Sequence, residues 1–263
     1  MDVNLVEVFS SVQGEGVYVG APTVFVRFGG CDLRCSWCDS PQTWRPARRC
    51  RIEVRPGSAE FRELASPVPI AVAESAIIAL ASGPGDFVSF TGGEPLLQPE
   101  PLRELAEAVR SQGLRVYLET HGLAVEALTS LGAAVDVVSM DWKLASEVRR
   151  ESDPKGVQPQ PFHDEHQRFL EVAARRAETL VKIVVTSTTT EDELAEACRR
   201  IAETAPDTPL VLQPVTPFGK SQKSKGSGET PDAKQLLAWV RACRETLETV
   251  RLVPQTHKVY DAL

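Results

Sequence analysis

Six apolar, β-branched runs recur along the chain, with helix-like stretches between them. Pro22–Phe28, Asp86–Thr91, Arg115–Thr120, Val135–Asp141, Leu180–Thr186 and Pro209–Val215 read as strands buried on both faces, the signature of a parallel sheet. Ile70–Ala81, Glu100–Ser111, Glu191–Glu203 and Asp232–Glu245 combine helical spacing with good helix formers, and Leu123–Leu131 does so more weakly. Pro99-Glu100 and Thr230-Pro231-Asp232 supply helix starts, with Pro near the first turn and acids toward the positive dipole end. Alternating β and α units predict right-handed crossovers, and about six units are too few to close an eightfold barrel. The predicted fold is therefore α/β, an incomplete (β/α)6 barrel forming a single domain over 1–263.

Two segments break this rhythm. Arg45–Pro69 is rich in Arg, Pro and Glu, and Glu147–His166 is polar with three prolines, so both read as surface insertions. His163 and His166 read as solvated there, and Gly219–Gly228 reads as a mobile loop.

Composition narrows the partners. Hydrophobic residues at 42% and charged ones at 25% are ample for a buried core. A net charge of −7 argues against nucleic acid, whose phosphates would repel the chain. No uncharged apolar run approaches the roughly 18 residues of a membrane span, and Met1-Asp2-Val3-Asn4 does not start a secretory signal. The expectation is a cytoplasmic protein. Three of the six cysteines crowd at Cys31, Cys35 and Cys38, whereas Cys50, Cys198 and Cys243 are scattered and read as inert thiols. In a reducing compartment such crowding points to a metal rather than to disulfides.

In barrels of this kind, ligands sit at the C-terminal ends of the strands. Here those ends carry Gly29-Gly30-Cys31, Thr91-Gly92-Gly93-Glu94-Pro95, Glu119-Thr120-His121-Gly122, Ser139-Met140-Asp141 and Gln213-Pro214-Val215-Thr216. The thiols of Cys31-Asp32-Leu33-Arg34-Cys35-Ser36-Trp37-Cys38 can wrap one metal group, and soft thiolates favour zinc, copper(I) or iron–sulfur. An all-protein site wants a fourth ligand, which no neighbouring CxxC supplies. A zinc site completed by a distant His or by Cys50, and a redox Cys35/Cys38 pair, are the alternatives.

Cys-x3-Cys-x2-Cys with Trp37 before its last cysteine, followed by Gly92-Gly93-Glu94, resembles the radical S-adenosylmethionine (SAM) superfamily. Phe9–Gly16, Gly20-Ala21-Pro22, Phe25-Val26-Arg27, Cys38-Asp39-Ser40, Glu119–Gly122, Leu212–Val215 and Pro254–Lys258 sharpen this. Together they resemble the 7-carboxy-7-deazaguanine synthase family over the whole chain. The resemblance implies a radical SAM type of barrel and a [4Fe–4S] cluster on Cys31, Cys35 and Cys38, its open iron chelated by SAM. It also implies Mg²⁺ and radical ring contraction of 6-carboxytetrahydropterin with loss of ammonia. An electron donor such as flavodoxin or ferredoxin, and a homodimer, follow from the same likeness.

Carried over by position, Val12, Gln13, Gly14 and Glu15 would meet the pterin, with Thr91, His257 and the Leu263 carboxylate, and Arg27 would pair its carboxylate. Ser40 stands where the family usually has a Thr on Mg²⁺ and keeps the hard oxygen that ion prefers. Trp37, Cys38, Asp39, Gly93, Glu94, Ser139, Met140, Asp141, Gln213, Pro214, Val215 and Thr216 would border SAM. His121, where the family more often has Asn, is positional. Two other readings are an activating enzyme, which shares the three cysteines and installs a glycyl radical on a partner protein, and a non-enzymatic electron carrier, which would need four cysteine ligands.

Overall fold

The apolar runs receive the two-sided burial they require. The computed structural model describes residues 1–154, 156–216 and 229–259. A ten-stranded sheet runs in the spatial order Val250–Leu252, Leu210–Pro214, Glu178–Val185, Val137–Asp141, Arg115–Thr120, Phe87–Gly92, Pro22–Phe28, Leu5–Val12, Arg49–Glu53 and Phe61–Ala65. From Pro22–Phe28 through to Val250–Leu252 every pairing is parallel. Helices Ile70–Leu80, Pro99–Ser111, Val125–Ser130, His163–Ala174, Glu191–Thr204 and Ala233–Arg244 contribute buried faces to one apolar core with the sheet. Asp232 and Gln235 form a reciprocal capping box on the last of these helices, and Thr190 caps Glu191–Thr204 through the Glu193 N–H.

Several segments differ from their sequence reading, among them Val250–Leu252, a seventh parallel strand beyond the six apolar runs. Leu5–Val12 is a strand antiparallel to Pro22–Phe28; Glu7 and Ser10 interrupt buried Leu5, Val8 and Phe9 on opposite faces, so no unbroken apolar run marks it. The stretch 45–69 is not confined to the surface. Arg49–Glu53 pairs parallel with Leu5–Val12 and antiparallel with Phe61–Ala65, burying Cys50 and Ile52. Within 147–166, Val148–Arg150 pairs antiparallel with Leu33–Cys35, bracing the cysteine loop from outside.

The expectation that His163 and His166 are solvated is corrected. They begin the helix His163–Ala174, and His166 is fully buried, its ring 4.8 Å from that of Trp142. Its Nε2 lies 3.1 Å from the His121 carbonyl oxygen. The loop at 219–228 and the Leu263 carboxylate lie outside the described residues. Among the described residues no helix is long and apolar enough to cross a membrane.

Burial pushes His166 well below its ordinary value, so the folded protein refuses a proton that the unfolded chain accepts below about pH 6.5. This histidine therefore costs stability as pH falls through 6.5, by up to about 1.4 kcal/mol for each pH unit. Urea midpoints at pH 7.5 and 5.5 should show a smaller acid loss for His166→Phe than for the parent. Equal losses would mean His166 is protonated in the folded state.

Candidate active site

The strand ends open into one cavity of about 220 Å³. A single water needs only roughly 10–15 Å³ measured the same way, so the space suits bound molecules. Backbone contact between two loops shapes its floor. Gly93 lies so close to Gly30 that a Cβ would collide with the Gly30 carbonyl oxygen. Gly93 N–H donates to Phe28 O at 3.0 Å and Glu94 N–H to Gly30 O at 2.8 Å, stitching the cysteine loop to the Thr91–Pro95 turn.

Below that seam, Glu94 is fully buried. Its carboxylate accepts from Leu96 N at 3.0 Å, Thr120 Oγ1 at 2.8 Å and His121 N at 2.8 Å. His121 Nε2 sits 2.9 Å from Asp32 Oδ1, which ties the cysteine loop to the same centre. Burial would lower the His121 pKa, but Glu94 and Asp32 outweigh it and raise it.

Cys31, Cys35 and Cys38 line one wall of the cavity. Glu147 braces their loop: its carbonyl accepts from Ser36 N at 2.9 Å. Its carboxylate accepts from Ser36 Oγ, from Thr186 Oγ1 at 2.8 Å and from Thr188 Oγ1 at 2.6 Å. Burial pushes the Cys31 thiol up to about 11 and Cys35 up to about 12, so ligation of a metal must displace their protons. Cys50 is buried in the edge hairpin and does not line the cavity. Among the described residues no three His, Cys, Asp or Glu side chains converge tightly enough for a single ion.

The far strands split their residues by parity. Ser139 and Asp141 line the cavity, while Met140 between them is buried on the opposite face against Gly122. Gln213, Val215 and Thr216 line it and Pro214 does not. Glu94, Met140 and Pro214 thus do not border the cavity as expected. Successive strand residues face opposite sides, and Glu94 is consumed by two backbone N–H groups and the Thr120 hydroxyl.

Asp141 sits at the centre of a charge cluster at the mouth. Asp141 receives Lys143 Nζ at 2.6 Å on Oδ2 and Lys182 Nζ at 3.2 Å on Oδ1, and Lys182 also pairs with Glu15. Burial alone would raise Asp141, but the two lysines hold its carboxyl below the usual range. Lys143 Nζ lies 4.6 Å from the Trp37 ring centroid, a cation–π contact.

Val12, Gln13, Gly14, Glu15, Arg27 and Thr91 line the near side. Glu119 accepts from Gln13 Nε2 at 3.1 Å, Ser89 Oγ at 2.6 Å and Thr91 Oγ1 at 3.0 Å. The Thr256–Val259 turn folds over Gly14, whose missing side chain leaves room for His257. Gln255 Nε2 donates to Glu15 at 2.8 Å and to Asp39 at 2.9 Å. Ser40 Oγ donates to Asp39 Oδ1 at 2.9 Å at the cavity rim. Sequence reasoning assigns no role to Lys143, Glu119 or Gln255; the parity of Asp141 and Lys143, two residues apart past the strand, is a signal that could have found the first.

Residues 25–201 match the family described as the Radical SAM superfamily. The chain is 40% identical over 262 residues to a 7-carboxy-7-deazaguanine synthase of Geobacter sulfurreducens, covering 97% of this chain and 95% of that one. It is 36% identical to the synthase of that name from Methanopyrus kandleri, with 98% and 94% coverage. The crystal structure of QueE from Escherichia coli superposes with a TM-score of 0.54 at 24% identity, covering 97% and 94% of the two chains.

Anaerobically reconstituted protein should be brown, absorb broadly near roughly 400 nm and hold about four irons, as a three-thiolate cluster site implies. Alanine at Cys31, Cys35 or Cys38 should abolish the colour and alanine at Cys198, packed in the core, should not. A colourless protein with one tightly held zinc would contradict this.

Proposed function

The chain belongs to the 7-carboxy-7-deazaguanine synthase family of radical SAM enzymes, and from that membership we infer how its cavity is used. The protein is a lyase that contracts 6-carboxytetrahydropterin to 7-carboxy-7-deazaguanine with loss of ammonia, using a [4Fe–4S] cluster, SAM and Mg²⁺. The activating-enzyme and electron-carrier readings give way to this membership. The observation that carries the assignment of roles is the convergence of the cysteine wall, the paired lysines and the Gln13–Glu15 loop on one cavity.

The residues present fit these groups. Trp37 Nε1 and Gln213 Oε1 are buried without a hydrogen-bond partner among the described residues, a donor and an acceptor left for a ligand. Cys31, Cys35 and Cys38 would hold the cluster. Gly93, Ser139, Asp141, Gln213, Val215 and Thr216 would border SAM, with Trp37 and Asp39. Bound there, cluster and SAM supply the one-electron chemistry that starts the reaction. Ser40 would offer its hydroxyl oxygen to Mg²⁺, an ion that retains several waters and needs few protein oxygens.

The chain's own groups bind and orient the pterin. Gln13 Nε2 is already committed to Glu119, so the Val12–Glu15 loop presents a fixed edge. Arg27 commits its Nε to Glu7 and meets the substrate carboxylate with what remains. Thr91 and His257 flank the same space. A flavodoxin- or ferredoxin-type donor, a homodimer and a cytoplasmic setting belong to this reading and are supported by the family alone.

Removing Mg²⁺ should slow turnover without bleaching the cluster. Ser40→Ala should mimic the loss and Ser40→Thr should restore it; indifference to both metal and substitution would remove Ser40 from this role. An unpaired buried carboxylate costs on the order of 3–5 kcal/mol. Arg27→Met should therefore keep its cluster yet lose the carboxypterin by several hundredfold or more in kcat/KM, roughly the equivalent of that cost. Arg27→Lys should recover part, since an ammonium is only a point charge. Normal turnover by Arg27→Met would refute the pairing.

A further inference from the structure

A row of polar side chains crosses five neighbouring strands and ends in the cavity. Glu7 is the direct cross-strand partner of both Arg51 and Arg27, and Arg27 is the partner of Thr91. Thr91 Oγ1 in turn donates to Glu119 Oε2 at 3.0 Å. Arg27, Thr91 and Glu119 line the cavity; Glu7 and Arg51 do not. The outer half of the row therefore needs a purpose of its own.

Glu7 is divided between two guanidinium groups. Its Oε1 accepts from Arg27 Nε at 2.8 Å and its Oε2 from Arg51 Nη2. The pairing register with Pro22–Phe28 shifts between Leu5 and Glu7, and that irregularity sets Glu7 opposite Arg27, while its other neighbour strand places Arg51 beside it. Arg51 is held from outside by the Phe61 ring, its guanidinium carbon 4.6 Å from the centroid. Glu7 has only 12% of its side chain exposed. Burial would raise its pKa, but the two arginines outweigh this and keep it ionised.

The consequence is geometric. A guanidinium carries five donors in one rigid plane. With Nε fixed on Glu7, the plane of Arg27 is set, and neither Nη group is bonded within the described residues. Those two parallel N–H groups are the edge that grips a carboxylate in bidentate fashion. Arg51 matters because it occupies the second oxygen of Glu7. Left free, that oxygen would turn to an Arg27 Nη and withdraw it from the cavity.

We propose that Glu7 is a positioning residue for substrate, aiming the Arg27 Nη pair at the pterin carboxylate, and that Arg51 keeps Glu7 in the one-oxygen grip this requires. The proposal rests on the reading that Arg27 meets that carboxylate. It also accounts for the Arg49–Glu53 and Phe61–Ala65 hairpin, which delivers Arg51 and holds it in place.

The test is anaerobic equilibrium binding to the reconstituted holoenzyme with SAM and without reductant, so that nothing turns over. Two probes are compared, 6-carboxytetrahydropterin and the tetrahydropterin lacking the carboxylate. Glu7→Leu should weaken the first by about ten- to a hundredfold, the scale on which misplacement of a positioning group acts, and leave the second unchanged. Its cluster absorbance should match the parent. Glu7→Gln, which keeps an acceptor for Nε, should lose less, and Arg51→Met should fall between it and Glu7→Leu. In turnover the loss should appear in KM more than in kcat.

Parent-like binding of both probes by Glu7→Leu, with Arg27→Met defective, would overturn the proposal and leave the Arg27 reading intact. Parent-like binding by Arg27→Met would sink that reading and the proposal with it. An equal loss of both probes in Glu7→Leu would mean general damage and would also overturn it. If Glu7→Leu does not fold, Glu7→Gln and Arg51→Met decide, and parent-like binding by both is the contrary result.

Discussion

Charges cannot enter a half-dehydrated barrel mouth singly, and the Asp141 carboxylate is where this protein meets that constraint. Lys143 and Lys182 share it, Lys182 passes on to Glu15, and Lys143 lies over Trp37 beside the last cysteine. An ionised group left without its partner in such a place costs several kcal/mol. The chain of pairs therefore links the cysteine loop, the far strands and the substrate loop into one unit. Each wall of the cavity is held by the charge of another.

A second seam joins the same loops through the backbone. Gly93 brings two loops into a contact that a side chain there would not permit, and Glu94 anchors the turn beneath it. His121 carries the connection to Asp32 in the cysteine loop. One ring thus reaches two carboxylates, Asp32 at Nε2 and Glu94 beside Nδ1. Val148–Arg150 and Glu147 brace the same loop from outside, so a segment that looks like an excursion in the chain serves the geometry of the thiols.

Much of this is legible in the chain itself. Buried parallel strands leave long apolar, β-branched runs, so all six barrel strands can be read, and the strand-end rule puts the polar clusters at one mouth. What escapes is whatever depends on partners distant in sequence. Leu5–Val12 resembles a motif more than a strand because Glu7 and Ser10 interrupt its apolar residues to bond Arg51 and Glu53 of the neighbouring hairpin. Cys50 and Ile52 are too few to mark a buried strand amid Arg and Glu. His166 is polar by type and buried by its contact with Trp142. Met140 and Pro214 read as one with their neighbours in strand-end triplets, although strand parity sends them to the opposite face.

A ring contraction that expels one nitrogen is tested most directly by a nitrogen balance. Reconstituted protein would be supplied with SAM, a low-potential reductant, Mg²⁺ and 6-carboxytetrahydropterin under anaerobic conditions, and ammonia would be measured beside 7-carboxy-7-deazaguanine. One ammonia is expected for each deazaguanine formed, with both absent when Cys35 is replaced by alanine. Cleavage of SAM with neither ammonia nor deazaguanine, by protein carrying its full cluster, would contradict the assigned reaction.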